Sequence, residues 1–214
     1  MRLGTLYRNE LINSFNINFQ NKKVLDIGCF DGYLLSNVSS DSKIRIGVDL
    51  YPERKFNSIS YIKANALFLP FNRNVFDLIF ALDVIEHIQN DFTFTNEISK
   101  LITKNGCIYM STPSKDIELY PKFLTKKISL KWGHYYRLGY TREEIIHLFE
   151  KNSLSVEIDD WNAYAYRKFY PPLKLFNEMF PILSKRIIKK IFDYDKEHKQ
   201  GSNGFLIIKA YLRS

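Results

Sequence analysis

Short apolar runs recur along the first half of the chain, and polar or helix-like stretches, most of ten or more residues, separate them. The runs lie at residues 23–27, 44–49, 59–63, 76–81 and 106–110. Strands that are apolar on both faces and that alternate with helices are typical of a mostly parallel sheet covered on each side. The pattern therefore predicts an α/β fold with helices on both faces of the sheet.

Helical periodicity indicates three further elements. Residues 5–20 carry apolar side chains on one side of a helix, and a short helix is expected at 33–38. Thr141 and Glu144 stand at the spacing of a capping box before another amphipathic helix. Two more strands are predicted, at 155–158 and 204–212.

An insert of residues 164–200 separates the last two predicted strands. It carries Pro171, Pro172 and Pro181, so we expect any helix there to be broken at least once. Apolar stripes precede and follow Pro181: Leu175, Phe176, Met179 and Phe180, then Leu183, Ile187, Ile188, Ile191 and Phe192. The stripes favour a helical lid, with an interfacial helix on anionic lipid as the alternative.

Composition narrows the class of protein. The 214 residues suit one domain, and 45% hydrophobic residues exclude a disordered chain. No apolar run is long enough to span a membrane, and the first residues lack the apolar core of a secretory leader. The two cysteines, Cys29 and Cys107, fit a reducing compartment. We expect a cytoplasmic protein.

The net charge of +8 is unevenly distributed. Residues 1–114 carry a net +1, residues 115–142 a net +5, residues 143–161 a net −5 and residues 162–214 a net +7. The excess therefore lies in two late, aromatic-rich segments, which indicates a local basic surface rather than a general polyanion binder.

The residues after the first strand indicate a nucleoside site. Gly28 and Gly32 allow a tight turn before a helix, but a dinucleotide fingerprint needs three glycines. Asp26 would repel a pyrophosphate, whereas it suits a cationic amino-acid group. Asp49 ends the second strand, where a carboxylate accepts from both ribose hydroxyls. The pocket fits a nucleoside joined to a charged amino acid.

Together these motifs resemble the class I S-adenosylmethionine-dependent methyltransferases, of the small-molecule type that includes ubiquinone and menaquinone biosynthesis enzymes. The resemblance covers residues 20–160 and the last strand. Four segments carry it: Val24 to Gly32, Gly47 to Asp49, Ala64 to Phe71, and Phe76 to His87. It implies one methyltransferase domain over residues 1–214, with a core at 20–160 and 204–212 and a lid at 164–200. The implied sheet is Rossmann-like, with seven strands and an antiparallel last strand paired with residues 155–158.

The resemblance also implies S-adenosylmethionine as cofactor and assigns its contacts. The methionine end is expected on Asp26, Gly28, Cys29 and Gly32; the ribose on Asp49; the adenine on Leu50, Asn65 and Ala66; and Asp83 closes the pocket. Two residues depart from the family pattern: Phe30 replaces a glycine, and Asn65 replaces an aspartate.

Two histidines are candidates for catalysis. His134 is the stronger candidate, as a base or an acceptor-positioning residue, with the ordering of a lid loop as the alternative. His87 is the weaker one. We predict no metal, although Asp83, Glu86 and His87 resemble the carboxylate and histidine pattern of magnesium-dependent methyltransferases, with His134 as a natural further ligand.

The expected function is methyl transfer to an oxygen, nitrogen or carbon of a small, lipophilic acceptor. The alternatives are an RNA methyltransferase and a non-catalytic S-adenosylmethionine-binding module. No RNA-binding appendage is visible, which argues against a nucleic-acid partner. For residues 171–192 the alternative to a lid is a peripheral contact with an anionic membrane, at the inner membrane surface. The oligomeric state is left open.

Overall fold

A computed structural model describes residues 2–38, 41–198, 201 and 203–213. The strands are β1 (Lys23–Ile27), β2 (Ile44–Asp49), β3 (Ser60–Lys63), β4 (Phe76–Leu82), β5 (Ile102–Pro113), β6 (Leu154–Trp161) and β7 (Phe205–Leu212). The helices are α1 (Leu3–Asn13), α2 (Tyr33–Val38), α3 (Asp91–Leu101), α4 (Thr125–Lys131), α5 (Arg142–Glu150), α6 (Tyr164–Met179) and α7 (Pro181–Glu197), with 3₁₀ turns at Ile85–His87 and Lys122–Leu124.

The seven strands form one sheet in the order β3-β2-β1-β4-β5-β7-β6. Strands β1 to β5 are mutually parallel, whereas β7 runs antiparallel to both β5 and β6. This confirms the predicted Rossmann-like fold, including the antiparallel last strand. The order changes direction beside β1, so the carboxyl ends of β1 and β4 flank the crevice where open α/β sheets bind ligands.

Several predicted boundaries were wrong. Helix α1 ends at Asn13 rather than at residue 20, because Ser14 closes it and Asn16 takes a positive φ of 50°. Strand β5 is longer at both ends than the predicted 106–110. The capping box at Thr141 is confirmed by hydrogen bonds in both directions with Glu144.

The insert forms two long helices. Pro171 and Pro172 lie inside α6 without ending it. The helix ends at Met179, Phe180 separates the two helices, and Pro181 occupies the first turn of α7. Pro181 fits there because the first turn has no partner for its missing N–H. None of the helices in the described ranges combines the length and apolarity needed to cross a bilayer.

A buried network joins the insert to α1. Tyr7 donates to Asp195 of α7 at 2.8 Å, and Trp161 donates to the Tyr7 hydroxyl at 2.9 Å. The Asp195 carboxylate also accepts from the backbone N–H groups of Ala165 and Tyr166. Helix α6 starts from Ala163, which offers no side-chain cap, so Asp195 of α7 satisfies amides that would otherwise lack partners. The network fixes where α6 begins.

Candidate functional site

The loop after β1 is held in an unusual backbone conformation. Gly28, Phe30 and Gly32 have φ values of 78°, 46° and 73°. A Cβ on Gly28 would lie 2.6 Å from a Val84 methyl group, and one on Gly32 would lie 2.2 Å from the Tyr61 hydroxyl. Both positions therefore require glycine. Phe30 has a positive φ although it carries a side chain, so its backbone is strained.

Asp49 organises the same loop from the end of β2. Its carboxylate accepts from the Phe30 N–H at 3.0 Å and from the Tyr51 N–H at 2.9 Å. Leu50 follows with its side chain 53% exposed. Two further hydrogen bonds can still be accepted by the carboxylate, since it offers about four acceptor positions.

Asn65 and Ala66 follow β3, beside the end of β2. Strand β3 pairs with β2 so that Lys63 stands opposite Asp49, and the Ala64 N–H donates to the Asp49 carbonyl at 3.1 Å. The Asn65 side-chain oxygen accepts from the Leu67 N–H at 2.9 Å. The predicted adenine and ribose residues are thus adjacent, and one lone pair of the Asn65 oxygen is already used.

Asp26 is a buried carboxylate without a cation. It is 4% exposed, and no ion pair reaches it from the part of the chain that the structure describes. Desolvation, with the nearby charges of Asp49 and Asp31, raises its pKa well above the usual range. A cationic ligand would relieve this cost, which is the role predicted for Asp26.

A cavity of about 700 Å³ opens at the carboxyl ends of β1 and β4. Its wall includes four of the predicted cofactor residues, Asp26, Gly28, Cys29 and Asp83. Its far side is formed by α6 and by the segment after α4, where Trp132, His134, Tyr166 and Tyr170 line it. The other five predicted cofactor residues are outside the cavity wall. Four of them lie at the neighbouring strand ends, namely Asp49, Leu50, Asn65 and Ala66, and Gly32 packs on Tyr61.

Arg8 of α1 is a residue of this site that the sequence analysis missed. Its guanidinium donates to the Asp83 carboxylate twice, each time at 2.8 Å, and Ser111 donates to the same carboxylate at 2.7 Å. Arg8 is 5% exposed, and its Nη1 is buried without a hydrogen-bond partner. Because Arg8 precedes Leu11 and Ile12 by three and four residues, a charge on the buried side of α1 was the signal available.

His134 reaches the cavity from the loop after α4. It is 7% exposed, and its Nδ1 has no hydrogen-bond partner. Desolvation, and then the nearby His87, lower its pKa to about 4, so the imidazole is neutral at pH 7. A neutral imidazole with a free nitrogen can accept a proton.

Glu86 lies behind His134. Its Oε1 is 4.0 Å from the His134 Nε2, which is too long for a hydrogen bond, and its Oε2 accepts from Thr112 at 3.2 Å. The side chain is fully buried, and desolvation and Asp83 raise its pKa well above the usual range. Burial therefore disfavours the charged form of the Glu86 side chain that faces His134.

His87 is exposed and connects the turn after β4 to the loop that carries His134. Its Nδ1 lies 3.2 Å from the Gly133 carbonyl oxygen, and its ring packs edge-on against His134 with centroids 4.9 Å apart. One ligand atom from each of Glu86, His87 and His134 lies within 4.8 Å of the others. Asp83, which the sequence pattern grouped with Glu86 and His87, is instead bound by Arg8.

Cys29 is buried against Gly47 rather than poised for chemistry. A Cβ on Gly47 would lie 2.6 Å from its sulfur. Burial, followed by the charge of Asp26, raises the pKa of the Cys29 thiol above its usual range. The residue packs as a small apolar group and contributes to the cavity wall.

Comparison with known proteins agrees with this geometry. A family model described as "Methyltransferase domain" matches residues 4–163. The ubiquinone biosynthesis O-methyltransferase of Pelagibacter ubique is 26% identical over 160 residues, which are 68% of this chain and 67% of that protein. The mitochondrial enzyme of the same name from Arabidopsis thaliana is 27% identical over 158 residues, 65% of this chain and 48% of that protein.

Among solved structures, phosphoethanolamine N-methyltransferase 2 of Haemonchus contortus, in complex with S-adenosyl-L-methionine, aligns with a TM-score of 0.67 at 17% identity. The alignment covers 97% of this chain and 52% of that one, so this chain spans about half the length of that enzyme. At that identity the likeness shows the fold alone. The match to the family model covers most of the chain. The chain therefore belongs to the methyltransferase-domain family, as a class I S-adenosylmethionine-dependent methyltransferase.

Proposed function

We propose that this chain transfers the methyl group of S-adenosylmethionine to an oxygen, nitrogen or carbon atom of a small, lipophilic acceptor. One observation carries the proposal: the cofactor loop and a neutral, buried histidine open onto the same cavity of about 700 Å³. A cavity of this size accommodates a small molecule beside part of a cofactor.

The residues present fit the cofactor. The methionine end carries an ammonium and a carboxylate, and the cavity offers an unpaired carboxylate on Asp26 and an unpartnered guanidinium N–H on Arg8. We assign the ammonium to Asp26 and the carboxylate to Arg8, with Gly28 and Cys29 lining the path between them. Each contact would pair a buried polar group that now has no partner, which is the favourable direction.

The nucleoside is assigned to the neighbouring strand ends. Asp49 accepts from the ribose hydroxyls through its two remaining acceptor positions, and Leu50 covers one face of the adenine. Asn65 and Ala66 lie at the adenine edge. Gly32 supports the loop by packing on Tyr61, and Asp83 orients Arg8 through their paired hydrogen bonds.

When bound, S-adenosylmethionine supplies a methyl group on a positively charged sulfur that is open to nucleophilic displacement. The task of this chain is then to hold the acceptor in line and to take up its proton. The cavity walls for the acceptor are aromatic: Trp132 and Tyr170 meet with ring centroids 5.0 Å apart, and Tyr166 and Tyr170 with 5.7 Å. Such walls exclude water and favour an apolar or planar acceptor.

We assign His134 as the base. Its pKa of about 4 leaves the imidazole neutral at pH 7, its Nδ1 has no hydrogen-bond partner, and Glu86 Oε1 lies 4.0 Å from its Nε2. His87 positions the loop by contacting the Gly133 carbonyl rather than by taking the proton. The proposal uses no metal, although one ligand atom from each of Glu86, His87 and His134 lies within 4.8 Å of the others.

The experiment is a mass-spectrometric screen with methyl-deuterated S-adenosylmethionine. Purified protein is incubated with a metabolite and lipid extract, and labelled products are sought. We expect a labelled small molecule that is absent with the His134→Asn variant and present with His147→Asn, a control in which an exposed histidine of α5 is replaced. Label in RNA alone would favour the RNA methyltransferase. Binding of S-adenosylhomocysteine with no labelled product from any fraction would favour the non-catalytic module.

The single-domain organisation stays a proposal, with residues 164–200 as its lid. It is supported by the packing of the insert on the core. Helix α6 contributes Tyr166, Tyr170, Lys174 and Glu178 to the cavity wall, and Tyr7 of α1 stacks on Tyr166 with centroids 4.2 Å apart. Limited proteolysis that releases the insert while the remainder stays folded and binds S-adenosylhomocysteine would contradict it.

A further inference from the structure

The corner between α6 and α7 exposes large apolar side chains. Ile182 is 83% exposed, Met179 64%, Leu175 63%, Phe180 50% and Leu183 46%. These residues are near one another in the chain, on the last turns of α6 and the first turn of α7. A contiguous exposed apolar surface of this kind is unusual in a protein that stays in water and indicates a contact site.

The exposed apolar side chains of the corner are not used by the core or by the cavity. On α6, Leu173 and Asn177 are buried, while Tyr166, Tyr170, Lys174 and Glu178 line the cavity. Leu175 and Met179, one turn apart, therefore point away from both. The apolar stripe that the sequence analysis favoured as the packed side of a lid is instead the exposed side of α6.

Basic side chains border the corner. Lys174, Lys185, Arg186 and Lys190 are exposed, and within the described ranges no salt bridge involves any of them. Lys185 lies over the Tyr33 ring at 5.0 Å, and Lys189 pairs with Asp193. Between residues 171 and 192 the only acidic residue is Glu178. The corner thus combines exposed apolar side chains with positive charges that no salt bridge neutralises in the described ranges.

The other basic segment of the sequence reaches the same side of the cavity. Trp132, which follows α4, contacts Tyr170 of α6. Lys131 and Lys174 line the cavity together. The two segments that hold the excess charge, residues 115–142 and 162–214, therefore meet at the cavity's far side, and their positive charge adds up there.

We propose that the α6–α7 corner, Leu175 to Leu183 with Lys185 and Arg186, docks on an anionic lipid surface. Apolar side chains that enter the boundary between headgroups and acyl chains, flanked by cations that meet anionic headgroups, are the features of a peripheral membrane contact. The surface goes beyond methyl transfer, and it stands on residues outside the cofactor site. It leaves the cavity wall formed by Lys174 close to the bilayer.

Vesicle flotation tests the docking with the full chain. One set of vesicles contains phosphatidylcholine alone, and the other contains a third of phosphatidylglycerol. We expect the protein to float with the anionic vesicles at low salt, to remain below with the neutral ones, and to be released at high ionic strength, where the Debye length falls to about 3 Å at 1 M salt.

Two variants separate the apolar and electrostatic parts. The double variant Lys185→Gln with Arg186→Gln should weaken partitioning about 30-fold, since each basic residue near an anionic surface contributes roughly fivefold. Ile182→Ser should weaken partitioning as well, because it removes an apolar side chain from the corner. The fold should be unaffected, because this side chain is 83% exposed. The matched controls, Lys104→Gln and Phe92→Ser, remove an exposed cation and a 47% exposed aromatic elsewhere, and should float like the parent.

Three results would overturn the proposal. The first is no flotation with anionic vesicles at low salt. The second is flotation that the corner variants and the control variants reduce equally. The third is a concentration-dependent dimer without lipid that Ile182→Ser abolishes, because a second copy would then cover the corner. None of these assays requires cofactor or turnover, so their failure is distinguishable from failure of the proposed methyl transfer.

Discussion

Asp49→Ala tests the assignment of the ribose most sharply. The Asp49 carboxylate accepts from the N–H groups of Phe30 and Tyr51 at 3.0 and 2.9 Å, and its two remaining acceptor positions are assigned to the ribose hydroxyls. A hydrogen bond to a charged group contributes about 1.5–3 kcal/mol. Loss of two such bonds weakens affinity by about 10²- to 10⁴-fold, since about 1.4 kcal/mol is tenfold.

The assay is isothermal titration of the purified protein with S-adenosylhomocysteine, which binds without turnover. Asp77→Ala is the matched control. Its carboxylate accepts from the Lys23 N–H at 2.8 Å, at the start of β1, so it makes a similar backbone contact at the opposite end of the strand. We expect Asp77→Ala to lower stability but to leave the affinity within twofold of the parent.

Asp49→Asn separates charge from shape. The amide oxygen can still accept, but the amide nitrogen cannot, and the charge is lost. We expect a loss of affinity between those of the parent and of Asp49→Ala. If Asp49→Ala, with a melting temperature equal to that of Asp77→Ala, binds S-adenosylhomocysteine like the parent, Asp49 does not hold the ribose and the assignment is refuted.

Four further predictions follow from the site and its supports. Arg8→Met should narrow the gap in affinity between S-adenosylhomocysteine and methylthioadenosine, which lacks the amino-acid part, while the Asp26 contact to the ammonium remains; an unchanged gap between the two ligands would exclude Arg8 as the carboxylate contact. His134 should destabilise the fold by up to about 3 kcal/mol as pH falls from 6.5 towards 4, because the unfolded chain binds a proton on this side chain before the folded chain does. The free energies of urea unfolding of the parent and of His134→Gln should therefore diverge at pH 5, whereas at pH 7 both should change equally with pH. Exhaustive chelation should leave transfer to the identified acceptor unchanged, whereas loss of activity that a divalent metal restores would place an ion at Glu86, His87 and His134. Asp195→Asn should cost about 2–4 kcal/mol in urea unfolding, because its carboxylate accepts three hydrogen bonds, and a change below about 0.5 kcal/mol would show that the network is not structural.

The sheet could be predicted from the sequence because most of its strands contain short apolar runs that helix-like or polar stretches separate. The resemblance to a known family then implied the antiparallel last strand, and Asp26 and Gly28 were placed at one strand end because they are two residues apart in the chain. These features depend on local pattern, which a single sequence records. The same reason explains the capping box at Thr141, where two side chains three residues apart exchange hydrogen bonds.

The contacts that no local pattern records could not be predicted. Arg8 meets Asp83 across 75 residues, and Asp195 caps α6 from another helix. The face of α6 was also misjudged, because a stripe of apolar residues does not distinguish a packed side from an exposed one. Three-dimensional packing decides each of these cases. In the last case, it leaves the apolar side of α6 exposed at the corner that includes Ile182.

A crystal structure of the protein with S-adenosylhomocysteine tests the central claim most directly. We expect the ribose hydroxyls on Asp49, the amino-acid part between Asp26 and Arg8, and the sulfur directed into the cavity that His134 lines. A ligand bound with its sulfur facing away from that cavity, or seated elsewhere with Asp26 still unpaired, would contradict the proposal that cofactor and base act in one site.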